Sequence, residues 1–314
     1  MRKAFTLIEL LVVIGIIGLL MSALFVATSG VSDRAKSVKC TANLKSLASA
    51  CNARAMGSGF YPPAQSYPYQ TVNPKGKTGT ETVWMVNQGW LSWLDQGATY
   101  PTEDKPTHRK PSYAGTAAEV WHSLTNGVLW SAIGGSHDCY LCPVHAKVFR
   151  KTSKKQDGGQ ILGWSYQMNA FFGYDSDEYD DSGIASDSLG RAEHRLLFAE
   201  IPALDPALGS VKKTMKKLGI DQLPEVKLDG GANDEAMDGC LRSKLSGGDE
   251  SIGFNHVQGK QIWGHAVFAD GHVESFAAPK DGNFKDLTDW LCRGLDVVYV
   301  NGKYEKVDTT ATGE

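Results

Sequence analysis

The densest set of metal-ligating side chains lies between residues 137 and 145, where the sequence reads His-Asp-Cys-x-x-Cys-x-x-His. Thiolates and imidazoles at this spacing suit a tetrahedral zinc ion, with bonds of about 2.0–2.3 Å, held by His137, Cys139, Cys142 and His145. The same Cys-x-x-Cys is also the raw material of disulfides. There are six cysteines, at Cys40, Cys51, Cys139, Cys142, Cys240 and Cys292, and sequence alone does not choose among their pairings. Disulfide chemistry is the more ordinary expectation for a chain that meets an oxidising compartment. A second cluster, Asp175, Asp177, Asp180 and Asp181 with Glu178 among them, offers hard oxygen ligands for Ca²⁺. It lacks the full spacing of a known calcium loop, and a solvated acidic loop is the plainer reading. No cofactor is otherwise implied.

No chemistry of hydrolysis stands out. The chain contains no nucleophile elbow, no zincin helix and no carboxylate pair in a recognisable frame, so it is not read as an enzyme. Its eight histidines and eight tryptophans are scattered. Trp84, Trp90, Trp93 and Trp121 have faces that stack on sugars or on a protein partner, although tryptophan is more commonly a core residue.

The elements that carry these residues begin with an apolar rod. Residues 5–27 read FTLIELLVVIGIIGLLMSALFVA, interrupted by a single charge at Glu9. A helix of that length spans about 35 Å, enough for a bilayer core of about 30 Å. Arg2 and Lys3 precede it, which keeps the amino terminus in the cytoplasm and directs the remainder outward. The run is too long for a cleaved secretory signal. A carboxylate inside a spanning segment costs on the order of 3 kcal/mol unless it finds a partner, so Glu9 argues against a plain anchor.

Lys3-Ala4-Phe5-Thr6-Leu7-Ile8-Glu9 followed by an apolar helix resembles the processing and methylation signal of type IV pilins and type II secretion pseudopilins. The resemblance implies a leader of residues 1–4, cleavage between Ala4 and Phe5 by a prepilin peptidase, and methylation of the new amino terminus on Phe5. Ala4 stands where the family usually has glycine. Cleavage would create an amine that the Glu9 of a neighbouring copy can neutralise, and a buried charge is tolerable when paired and costly when alone. Head-to-tail contacts of this kind do not close and generate a filament. The partners expected are other copies of the chain and related pilins, the peptidase, the secretion or pilus assembly machinery, and the membrane. The location expected is the cytoplasmic membrane, single-pass, followed by a periplasmic or surface filament.

Beyond the apolar run, residues 31–56 continue as helix, so that the whole helical segment covers residues 5–56. Cys40, Leu44, Leu47 and Cys51 fall on one stripe, and Val31, Ala35, Val38 and Ala42 on another nearly opposite. Cys40 and Cys51 stand about 16 Å apart along that helix and cannot pair with each other. The head, residues 57–314, opens with a stretch punctuated by Pro62, Pro63, Pro68 and Pro74. Short β-rich runs follow at 82–86, 163–168, 195–199, 265–269, 272–276 and 297–300, with short helices at 117–124, 210–218 and 285–293. Asp270-Gly271 between two of those strands predicts a type I′ hairpin turn. The fold class is α+β: a long amino-terminal helix, partly transmembrane, packed on an antiparallel sheet head with large loops.

The length, 314 residues, allows one large domain or two small ones, and 42% apolar against 21% charged residues is ordinary globular usage. A net charge of −3 gives no field for nucleic acid, which is not expected as a partner. The head also resembles large pseudopilin-like proteins named for a prepilin-type processing-associated H-X9-DG motif. The matching islands are residues 40–45, Cys142-Pro143, residues 165–169 and residues 268–273. That resemblance ties Cys40 to Cys142. His256 and Asp270 would be the His and Asp of the motif, but 13 residues separate them here. The leading functional reading is a structural subunit of a type II secretion pseudopilus or type IV pilus-like filament. Its rival is a membrane-anchored receptor whose aromatic head binds polysaccharide or secreted cargo.

Overall fold

The structure, a computed structural model, describes residues 7–28, 31–75, 79–92, 100–101, 114–153, 160–173, 189–203, 210–225, 239–243, 248 and 250–307. For residues 22–28, 67–75, 79–87, 100–101, 151–153 and 210 the description extends to the backbone alone.

Two helices lead the chain, α1 (Leu7–Thr28) and α2 (Val31–Ser58). The stretch feeding α2 has no proline and no glycine until Gly57, and Asp33 pairs with Lys36 at 2.8 Å in its first turn. Gly59, at φ +80°, ends it in the left-handed region that costs glycine nothing. One face of α2 is buried through Ser37, Cys40, Asn43, Leu44, Leu47, Ala48, Cys51 and Ala55. Most of these are small, so the helix backbone lies close to what it covers. The other face remains in solvent, with Val31 59% and Val38 66% exposed. The two stripes read from sequence are therefore one core face and one open face.

The head begins with β1 (Tyr67–Lys75), β2 (Gly79–Asn87) and β3 (Tyr100–Pro101), a separate antiparallel sheet. β1 corrects the expectation of a loop at Pro68 and Pro74. It is an edge strand, and a proline lacking its N–H is tolerated where no second neighbour requires that donor. Then come β4 (Ala114–Gly115), α3 (Ala117–Thr125), α4 (Pro143–Ser153), β5 (Ile161–Leu162) and β6 (Tyr166–Asn169). Thr116 and Glu119 close α3 with a reciprocal capping box. The remaining elements are β7 (Leu196–Glu200), α5 (Ser210–Leu218), β8 (Cys240–Leu241), β9 (His256–Gln258), β10 (Gln261–Phe268), β11 (Val273–Ala277), α6 (Phe284–Arg293), β12 (Val297–Val300) and β13 (Lys303–Lys306).

The main sheet runs β11-β10-β7-β6-β8, with β9 also on β10. Its pairs are antiparallel except β6 with β8, which is parallel, so the expected antiparallel sheet is in fact mixed. All five residues of β7 are buried, as a strand covered on both faces demands. On one face Leu197, Phe198 and Val267 join the core that contains Cys40, Leu44 and Leu47 of α2. On the other, Leu196, Ala199, Ala266 and Phe268 join Val211 and Met215 of α5 and Leu287 and Leu291 of α6. The β10–β11 hairpin does form, but not through a type I′ turn, because Asp270 keeps a negative φ and only Gly271 (φ +91°) is left-handed. Gly271 N–H donates to the Phe268 carbonyl at 2.9 Å, which gives a three-residue loop closed by a left-handed glycine.

The two faces of α2 predict contrasting mutational costs. Leu47→Ala should lower the unfolding free energy by about 2–5 kcal/mol, whereas Val38→Ala should stay within about 0.5 kcal/mol. Urea denaturation of the full chain in detergent reads both values.

Candidate functional site

Four chemically capable side chains meet beneath α2. Cys40 comes from the middle of that helix, Cys142 from the residue before α4, Glu200 from the end of β7 and His256 from the start of β9. Their ligand atoms all lie within 4.8 Å of one another. All four residues are buried, three of them completely and His256 to 1% exposure.

Backbone geometry explains the meeting. Gly253 N–H donates to the Glu200 carbonyl at 2.7 Å. A Cβ on Gly253 would sit 2.3 Å from the Ile201 carbonyl oxygen, so only glycine allows this approach. Asn255 then clamps the strand end, its Nδ2 donating to the Ile201 carbonyl at 2.9 Å and to Glu200 Oε2 at 3.4 Å. The next side chain, His256, is thereby delivered to Glu200. On the opposite side Asn43, one turn from Cys40, holds the segment carrying Cys142 by donating to the carbonyls of Asp138 and Leu141 at 2.9 and 2.8 Å.

Within the cluster His256 Nε2–H faces two acceptors at once, Glu200 Oε1 at 2.8 Å and Cys142 Sγ at 3.3 Å. Burial alone would raise the Glu200 carboxyl, but the charge of His256 outweighs it and holds the group below its ordinary value. Burial likewise disfavours the His256 imidazolium, and the Glu200 carboxylate overcomes it and raises that group well above its usual value. Cys142 is brought down to about 6, because the hydrogen bond from Cys40 and the charge of His256 outweigh burial. Burial, reinforced by Cys142, pushes the Cys40 thiol up, so Cys40 keeps its proton and donates it to Cys142. The arrangement is not that of a nucleophilic triad, in which acid and nucleophile occupy opposite ring nitrogens. Here both use Nε2. What the four groups can do is hold a soft or borderline metal ion, or oxidise at the adjacent thiols.

The site differs from each of those expected from sequence. Of His137, Cys139, Cys142 and His145, only Cys142 takes part. His137 Nε2 lies 2.8 Å from the Gly163 carbonyl, Cys139 is half-buried, and His145 is enclosed, its protonation disfavoured by burial to about 4. Asp175, Asp177, Asp180 and Asp181 lie outside the described residues. All six cysteines are free thiols, with Cys51 buried on α2 and Cys240 and Cys292 buried elsewhere in the head; Cys40 and Cys142 are the pair brought into contact. His256 does not meet Asp270, which sits in the β10–β11 loop beside His272 Nδ1 at 2.6 Å. Trp90 is a core residue, stacked on Tyr140 and donating Nε1–H to the Gly239 carbonyl. Trp121, 39% exposed, packs edge-on to Trp130, while the side chains of Trp84 and Trp93 lie outside the description. Glu200 was missed in sequence, although a lone carboxylate in Leu196–Ile201 is the same signal that singled out Glu9.

At the amino terminus Ala4 and Phe5 precede the described residues. Glu9 lies in the first turn of α1, and residues 7–21 are all exposed, Leu7 to 81% and Leu19 to 71%. A Cβ added at Gly15 or Gly18 would meet nothing within 4 Å. The expected membrane-crossing rod is not found as such: among the described residues no helix is long and apolar enough to cross a membrane. The α1 backbone stays helical to Thr28, but its side chains beyond Met21 are outside that set.

Residues 1–25 match the family model described as the prokaryotic N-terminal methylation motif. The chain thus carries a prepilin-type processing and methylation signal. The match covers the amino terminus alone, and no curated protein and no solved structure matches the chain.

The geometry separates His256 from the Asp-Gly turn energetically. Removing one partner of a buried pair by His256→Ala should cost about 3–5 kcal/mol. Asp270→Asn, at a half-exposed pair, should cost less than about 1 kcal/mol. Equilibrium unfolding of the two variants against the parent chain checks the difference.

Proposed function

We propose that the chain is a subunit of a pilus-like filament of the type II secretion pseudopilus or type IV pilus kind. In this reading it is cleaved between Ala4 and Phe5, methylated on Phe5 and polymerised through its amino-terminal helix. The observation that carries the reading is the methylation motif at residues 1–25, set on a helix with an acid in its first turn. The apolar run of residues 5–27 holds the subunit in the cytoplasmic membrane before assembly and becomes the filament core afterwards. The exposure of residues 7–21 supports this, since a rod of apolar side chains in water requires either lipid or other copies around it. The open face of α2, with Val31 and Val38, continues the same surface toward neighbouring subunits.

Glu9 sets the axial register. Its carboxylate, in apolar surroundings, is neutralised by the Phe5 amine of an adjacent copy, and one such contact per subunit fixes the rise. The head faces outward. No catalytic role is assigned to any residue. The alternative of an aromatic receptor loses Trp90 to the core and retains Trp121 as an exposed indole among the described residues.

Two measurements test the reading. Mass spectrometry of the mature amino terminus should find N-methylated Phe5, and an intact Met1 would overturn it. Glu9→Ala should abolish filaments in a sheared surface fraction while leaving insertion and head folding unchanged; normal filaments from that variant would refute the register role.

A further inference from the structure

We infer that Cys40, Cys142, Glu200 and His256 form a zinc site that fastens α2 to the sheet of the head. The inference goes beyond the filament reading and rests on the head alone. Three features of the cluster carry it.

The first is convergence. A thiol, a second thiol, a carboxylate and an imidazole arrive from four separate segments with their ligand atoms mutually within 4.8 Å. A tetrahedron with zinc bonds of about 2.0–2.3 Å has edges of about 3.3–3.8 Å, so small side-chain adjustments reach it. The second is the proton count. Glu200 Oε1 and Cys142 Sγ share a single Nε2 proton, and the further proton directed at Cys142 is that of the Cys40 thiol, a weak donor. A divalent cation at the centre satisfies Cys40, Cys142, Glu200 and His256 together. On binding, Cys40 surrenders its thiol proton and His256 its Nε2 proton to solvent, Cys142 binds as the thiolate, and Nε2 becomes a neutral imidazole ligand. The assembled unit then carries a single negative charge.

The third is support around the ligands. Asn255 Nδ2 steadies Glu200 Oε2 at 3.4 Å. Asn43 Nδ2 donates into the Tyr166 hydroxyl at 3.3 Å, which frees the phenolic proton for Cys40, the thiol it contacts. Outer hydrogen bonds of this sort orient metal ligands. Two sulfurs with one nitrogen and one oxygen select zinc over calcium or magnesium. Full burial with four protein ligands describes a closed structural site, with no open position for substrate. A Cys40–Cys142 disulfide would use two of the four groups and leave Glu200 and His256 as an isolated buried pair.

The test uses the full chain purified in detergent without chelators. Elemental analysis should find one zinc per chain, and exchange for Co²⁺ should give tetrahedral visible bands with thiolate-to-cobalt charge transfer. Chelation should lower the melting temperature, and re-addition of zinc should restore it. Cys142→Ser should lose the metal, Asn255→Ala should weaken binding by about tenfold, and Cys139→Ser should keep it. The wild-type cobalt spectrum decides the matter even if a variant fails to fold. Absence of zinc together with a cobalt spectrum lacking thiolate bands would overturn the proposal, as would a native Cys40–Cys142 disulfide in the intact mass.

Discussion

A carboxylate removed from water must be met by a positive partner, and for Glu200 that partner is delivered by a distant segment. Glu200 ends a strand buried on both faces, and His256 reaches it because Gly253 lets the backbone come close enough. Desolvation works against both charges, so neither ionises in place without the other. In the proposed filament Glu9 faces the same problem at the other end of the molecule. There the partner comes from a second copy, so one physical requirement shapes the interior of the head and the assembly of the fibre.

α2 joins the two ends. Its small-residue face lets Cys40 and Asn43 reach under the helix, one into the thiol cluster and the other onto the carbonyls beside Cys142. Its other face stays open. Load carried along a filament core would enter the head through this helix, at the place where α2 meets three separate segments of the head.

Much of the local structure was legible in the sequence. Helix α5 at Ser210–Leu218 and strand β12 at Val297–Val300 fall where periodicity and β-branched residues place them. The amphipathic split of α2 follows from its apolar stripes. Tertiary facts were not legible: β1 keeps its prolines because it is an edge, and the parallel β6–β8 pair arises from a long crossover that no local pattern encodes. The metal-ligand spacing of residues 137–145 misled for a related reason. A short local motif competes with long-range packing, and here packing takes Cys142 for the interior while it places His137 against a backbone carbonyl. The lone acid of β7 was the better signal, because its cost is thermodynamic and does not depend on spacing.

The proposed assembly turns on inter-subunit neutralisation of Glu9, and helical reconstruction of the native fibre examines it directly. The prediction is a Glu9 carboxylate within about 4 Å of the Phe5 nitrogen of an adjacent copy, ion-pair distance. A fibre in which Glu9 faces lipid or solvent, with the Phe5 nitrogen elsewhere, would contradict it.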